Sequence, residues 1–281
     1  MNSTPVNATQ KGLACLPTIV ESARQTVLLL RHSRLWWVVA AVALLLGAST
    51  YVLGGRTQDR LDGRTLFCLV AWWLQATVLV PWTTIYLGVQ AVHGRLEDRT
   101  FQFLFLRPVG RMPLLLGNWL AVAVVGALVA CLSVVALFLG VASRRELWPD
   151  GVQWHLLAVF IEVSCVAAMA YAAVAVLFAA YFRRPMVWAA FFVVGLQMLA
   201  ANLPVSAGLR RLTITDPLRR MVLDGVEPDR RLALDLWPAE SDFRPEMIGE
   251  PVRDLGLLSL VCLCLALWTY SRTEYDSRSR E

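Results

Sequence analysis

Few residues in this 281-residue chain have the types and spacing that chemistry needs. A phosphate-cradling Walker A loop requires GxxxxGK[ST]. Lys11 is the only lysine and no such loop surrounds it, so the chain supplies none. No HExxH is present to put two metal-binding histidines on one helical face. His32, His93 and His155 are far apart in the sequence. No GxSxG elbow occurs. The six cysteines, Cys15, Cys68, Cys131, Cys165, Cys262 and Cys264, form no CxxC. Five lie inside apolar runs and read as small packing residues rather than a disulfide framework or metal site. Cys262 and Cys264, two apart, face different directions on a helix.

What remains is a handful of polar side chains inside apolar runs: Gln75, Thr77, Thr83, Thr84, Glu162, Gln197 and Asn202. Glu162 is the only acidic residue well inside such a run. A charge in hydrocarbon costs about 3 kcal/mol on insertion scales, so Glu162 is expected to face protein or water, or to be protonated. A functional role and a structural partnership with another helix are equally good readings of it.

The elements that would position these residues are helices. Hydrophobic residues make up 57% of the chain and its mean hydropathy is +0.56, above the range of soluble domains. The excess sits in runs long enough to cross about 30 Å of hydrocarbon, and the runs do not alternate as barrel strands would. Six spans are expected, at about 35–54, 66–92, 114–142, 154–181, 186–206 and 255–270. Pro81 is expected to kink the second. The domain plan is a disordered 1–17, an interfacial helix 18–34, and a six-span domain 35–281 with an extracytoplasmic loop 207–254. On the interfacial helix, Ile19, Val20, Ala23, Val27 and Leu30 share one side, and Glu21, Ser22, Gln25 and His32 fall mostly opposite. An ordinary helical lead-in to the first span fits that pattern equally well. The long loop has room for a short helix such as Pro217–Leu223, but does not read as a domain.

The net charge of +5 comes almost entirely from arginine. These arginines sit in short loops between apolar runs and form no clustered nucleic-acid face. With a cytoplasmic N-terminus, thirteen basic residues fall inside and five in the short outer loops. The positive-inside rule then puts both termini in the cytoplasm. No cleavable signal peptide is legible at the N-terminus.

The segment 93–120, HGRLEDRTFQFLFLRPVGRMPLLLGNWL, is expected on the cytoplasmic side and is dense in charges and aromatics. A plain solvated loop has no use for Phe101, Phe103, Leu104, Phe105 and Leu106. A segment seated against another protein does, and so does one lying on the membrane surface. At Glu97, Thr100, Leu104, Pro108-Val109-Gly110-Arg111, Gly117 and Leu120-Ala121 the sequence resembles permeases of type-2 ABC (ATP-binding cassette) exporters. Their signature after the second span is approximately ExGTLxxLLxxPxxRxxxLxGKxLA. Arg99 stands where a glycine is usual, Asn118 where a lysine is usual, and Arg95 where a second acidic residue is common.

The resemblance implies an all-α membrane protein with six transmembrane helices, an N-terminal amphipathic interfacial helix and a cytoplasmic coupling segment between spans two and three. It implies the permease of an ATP-driven exporter in a bacterial inner membrane. In that family the coupling segment docks on a separate ABC ATPase subunit, and two permease copies, identical or not, pair. Carried over, Arg95, Glu97, Asp98, Arg99, Thr100, Phe101, Phe103, Phe105, Arg107, Pro108 and Arg111 form the ATPase-coupling interface. Spans two and five line the family's path, making Gln75, Thr77, Gln197 and Asn202, with Glu162, candidate path residues. Plain interhelical hydrogen bonding is the competing account of these side chains. ATP and Mg would bind the partner ATPase, with no cofactor or metal on this chain. The alternative is a non-transport polytopic subunit that anchors or regulates a partner through residues 93–112 and the long loop.

Overall fold

The computed structural model describes residues 17–28, 35–57, 62–91, 111–149, 151–200, 213–226 and 249–272. All the regular structure among them is helical. Helix α1 covers 17–28 and α2 covers Leu35–Thr57. Helix α3, Gly63–Val89, is continuous but changes pitch: Gly63–Val70 is α, Ala71–Leu79 is π, and Val80–Val89 is α again. Then come α4 (Arg111–Ala142), a 3₁₀ turn Arg145–Leu147, and α5 (Trp154–Tyr181). Helix α6 starts at Pro185–Phe191 and continues as a second π segment, Phe192–Ala200. The last two are α7 (Thr215–Val226) and α8 (Gly249–Arg272).

Four of these are long and apolar enough to cross a membrane: Gly63–Val89, Met112–Ala142, Trp154–Tyr181 and Pro251–Thr269. Two shorter apolar stretches, Leu44–Gly55 and Pro185–Gln197, stand where the sequence places spans one and five.

Helix α5 is the centre, packed against α3, α4, α7 and α8. Its sequence explains why. Ala167, Ala168, Ala170, Ala172, Ala173 and Ala175 are buried, and small side chains let helix backbones approach without any loss of hydrogen bonding in lipid. Opposite Ala175 stands Gly88 of α3, where a Cβ would collide with the alanine methyl. Near the start of α3, Phe67 meets Phe138 and Phe160 edge-on, each with 5.2 Å between ring centroids, and Phe138 meets Trp154 at the same distance. Edge-to-face pairs of this kind add about 1 kcal/mol each to the burial of the rings.

The π segment of α3 has a local cause. Pro81 has no N–H to return to the carbonyl four residues earlier, and the turns before it widen. The Val80 N–H reaches Gln75 O, and the Thr77 hydroxyl donates to Trp72 O at 3.0 Å, both five residues back. Pro81 is thus accompanied by a change of pitch in the turns before it. The tight link Arg183-Arg184 leads into Pro185 at the first turn of α6, where proline costs nothing.

Candidate functional site

Two polar junctions sit at opposite ends of α3. The first is beside its C-terminal end, where α1 lies against the start of α4. Val27 packs with Leu87 and Ala91 from the end of α3 and with Val122, Ala123 and Val125 from α4. Gly117 is the crossing point: a Cβ there would lie 2.7 Å from Ile19 O and from the Ser22 side chain. Only glycine allows this approach. The Ser22 hydroxyl donates to Leu114 O at 3.4 Å. The Thr26 hydroxyl lies 2.9 Å from Asn118 Oδ1 and 2.8 Å from Ser22 O. One hydroxyl hydrogen serves one acceptor fully, so both contacts are satisfied when the Asn118 amide turns its Nδ2 donor to Thr26.

This geometry corrects the expected orientation of the N-terminal helix and explains one departure from the family signature. Ser22 does not lie on a solvated side: it is buried, as is Thr26, and both face α4. Val20 and Leu28 are exposed instead, next to Glu21, Arg24 and Gln25. Asn118 is only 2% exposed. A lysine ammonium there would be buried against hydroxyls, at a cost that an amide avoids.

The second junction is beside the N-terminal end of α3, around α7. This helix carries Asp216, Arg219, Arg220 and Asp224 in twelve residues, yet Asp216 and Arg219 are almost fully buried. Its N-terminus is held by Gln197 from the π segment of α6. Gln197 Oε1 accepts the Ile214 and Thr215 N–H groups, each at 3.1 Å, and the Thr215 hydroxyl at 2.8 Å. The Thr213 hydroxyl accepts the Asp216 N–H at 3.3 Å, and the Tyr171 hydroxyl is hydrogen-bonded to Thr215. In the middle, the Arg219 guanidinium overlies the Trp72 ring at 5.4 Å, within cation–π range. Asp216 pairs with Arg220 at 3.0 Å. At the C-terminus, Arg64 donates to Val226 O.

The sequence-expected site residues are placed as follows. Gln75 and Gln197 each sit inside a π segment and are buried, Gln75 completely. Gln75 Nε2 donates to Ala130 O of α4 at 2.9 Å, an interhelical bond. Thr77 bonds within its own helix. The two glutamines are thus held in place by the fold. Glu162 lies on the exposed side of α5 within this chain, with Ala158 and His155 on the turns before it. Arg111 opens α4, and its side chain lies outside the described residues, as do Arg95, Glu97, Asp98, Arg99, Thr100, Phe101, Phe103, Phe105, Arg107, Pro108 and Asn202.

Sequence reasoning missed Trp72, Tyr171, Thr215, Asp216 and Arg219. The only signal was four charges in a short stretch of amphipathic helix, and that pattern fits a solvated surface as well. Among the described residues no three metal-ligating side chains come together. Cys131 and Cys165 meet across α4 and α5, with 3.6 Å between their sulfurs. Cys262 is buried and Cys264 exposed, as their spacing requires.

No curated protein matches the chain. The sequence profile of the ABC-2 family transporter proteins matches residues 29–214, from just before α2 to the threshold of α7. The match takes in α2–α6, including both π segments and the whole of the charged, aromatic stretch between α3 and α4. With its stacked apolar helices and two thirds of its length in that profile, this multi-pass membrane chain belongs to the ABC-2 family of transporter membrane proteins.

Proposed function

We propose that the chain is the permease subunit of an ATP-driven exporter, working with a separate ABC ATPase and a second permease copy. The family membership over residues 29–214 carries this reading. Helices α2 and α6 are counted as spans one and five. At 1.5 Å per residue, the 23 residues of α2 reach about 34 Å, enough for the hydrocarbon. Six spans put both termini on one side, the arginine distribution favours the cytoplasm for that side, and the family resemblance suggests a bacterial inner membrane. The ATPase is taken to dock on residues 93–111, through the aromatics Phe101, Phe103 and Phe105 and the rim charges Arg95, Glu97, Asp98, Arg99, Arg107 and Arg111.

The α1 junction supports this placement. The helix bridges the end of α3 and the start of α4, the two elements that the docking segment joins. A push on that segment meets a braced pair of spans rather than two loose ends. The test is co-expression with the ATPase, affinity capture of the permease, and ATPase activity in lipid. Capture of the ATPase and stimulated hydrolysis are expected. Phe103→Ala and Arg111→Ala are expected to lose capture while the chain stays folded. No complex and no stimulation would sink the reading.

A further inference from the structure

We propose that the Arg183-Arg184 turn between α5 and α6 binds the headgroup of an anionic phospholipid in the cytoplasmic leaflet, with its acyl chains along Trp188 and Phe191. The inference rests on the orientation proposed above and uses nothing of the ATPase. Charge, place and platform carry it.

Arg183 and Arg184 are adjacent and exposed, and neither guanidinium has a partner among the described residues. Guanidinium groups elsewhere are met: Arg64 by Val226 O, Arg144 by the face of Tyr51, Arg219 by Trp72 and Arg220 by Asp216. No acidic residue stands between Glu162 and Asp216 in the sequence. Two unneutralised forks side by side suit a phosphate, which a guanidinium can hold through two parallel hydrogen bonds. The place is fixed by packing. Leu114 and Leu115 near the start of α4, Val176 and Ala179 near the end of α5, and Ala266 near the end of α8 form one cluster. The turn therefore lies at the same end of the bundle as the start of α4. In the proposed orientation that end is cytoplasmic, where the leaflet surface is negative and attracts basic side chains.

The platform is aromatic. Phe182 stacks on Trp188 with 4.8 Å between ring centroids, and Phe178 meets Phe182 and Phe192 edge-on at 5.5 and 5.4 Å. These contacts clamp the first turn of α6 against the last turn of α5. Outside them, Tyr181, Val187, Trp188 and Phe191 are 48–71% exposed. Tyrosine and tryptophan favour the headgroup level of a bilayer. Phe191, a turn further into the span, offers only apolar surface. The arginines thus stand above a continuous apolar face, as a phosphate stands above its acyl chains. Charge alone would suit a soluble anion; charge over such a face matches a lipid.

The test titrates the delipidated full chain with phosphatidylglycerol or with phosphatidylcholine of the same acyl chains, and counts bound lipid by native mass spectrometry. Phosphatidylglycerol is expected to bind at least about tenfold more tightly. Arg183→Gln and Arg184→Gln are made singly and together. Each is expected to weaken phosphatidylglycerol, and the pair to bring it to the phosphatidylcholine level. Unchanged phosphatidylcholine binding in these variants marks an intact fold. Arg145→Gln, at an exposed arginine beyond the other end of α4, is the control for charge in general and should change neither lipid. Inorganic phosphate in excess should not displace the lipid. Equal affinity for the two lipids, an unchanged preference in the arginine variants, or an equal loss in Arg145→Gln overturns the proposal. So does displacement by inorganic phosphate, which would make this a soluble-anion site. Lipid carried by the monomer but excluded from a dimer would give the face to a second copy, and overturns it too. No readout uses the ATPase, so the lipid site and the transport reading can fail separately.

Discussion

Helices α1 and α7 are both short, flank the bundle at opposite ends of α3, and carry charges beside apolar residues. They are held in contrasting ways. Helix α1 keeps half its surface exposed and crosses α4 at one glycine. Helix α7 is almost wholly buried and is tied at its start to Gln197 of α6 and at its middle and end to Trp72 and Arg64 of α3. The difference separates two mechanical roles. A helix resting on the adjoining ends of α3 and α4 moves with that pair. A helix strung across two spans resists their separation.

The largest expected effect lies at α7. Arg219→Ala removes a buried guanidinium from the face of Trp72 and is expected to cost about 3 kcal/mol. Reversible unfolding in mixed detergent micelles would read it. A cost below about 0.5 kcal/mol would show that α7 is no better anchored than α1. Next comes Gly117→Ala, whose new methyl would lie 2.7 Å from a backbone oxygen of α1. About 2 kcal/mol is expected, with protease cleavage of residues 17–28 ahead of the spans. Intact, uncleaved α1 in that variant would mean the crossing is not close.

Thr26→Val keeps the shape but leaves the Asn118 amide facing a methyl. About 1 kcal/mol is expected, and a double-mutant cycle with Asn118→Leu should return most of it as coupling. Smallest is Arg24→Gln. Arg24 and Glu21 lie 4.0 Å apart and well exposed, so the change should cost less than about 0.5 kcal/mol. A larger loss on ATPase capture than on stability would move Arg24 onto the partner interface.

How legible these regions are in the sequence follows from the same contrast. The spans are read from local composition, and span four, Trp154–Tyr181, falls where hydropathy alone places it. Gly117 is legible as part of the signature, because its neighbour α1 is also a sequence neighbour of the first span. What it packs against is not, since Ser22 and Thr26 look like ordinary polar-face residues until Leu114 and Asn118 are placed beside them. Helix α7 is visible only as a short amphipathic turn. Its burial comes from packing on α5 and α8, and its last carbonyl is met by Arg64, 162 residues before Val226; no local pattern encodes either. Gln75 and Gln197 stand out by residue type alone. Their roles, a donor to Ala130 O and a cap on Thr215, are set by packing.

The π run in α3 has a practical consequence for anyone mapping this span. Each residue in a π turn advances less around the axis than the 100° of an α-helix. Over Ala71–Leu79 the shortfall accumulates, so Val80–Val89 is out of phase with Gly63–Val70. A single helical wheel drawn through the span would assign the wrong lining face to one half. A cysteine scan should therefore return two reactive stripes with a phase jump between Trp72 and Leu79, each stripe regular by itself.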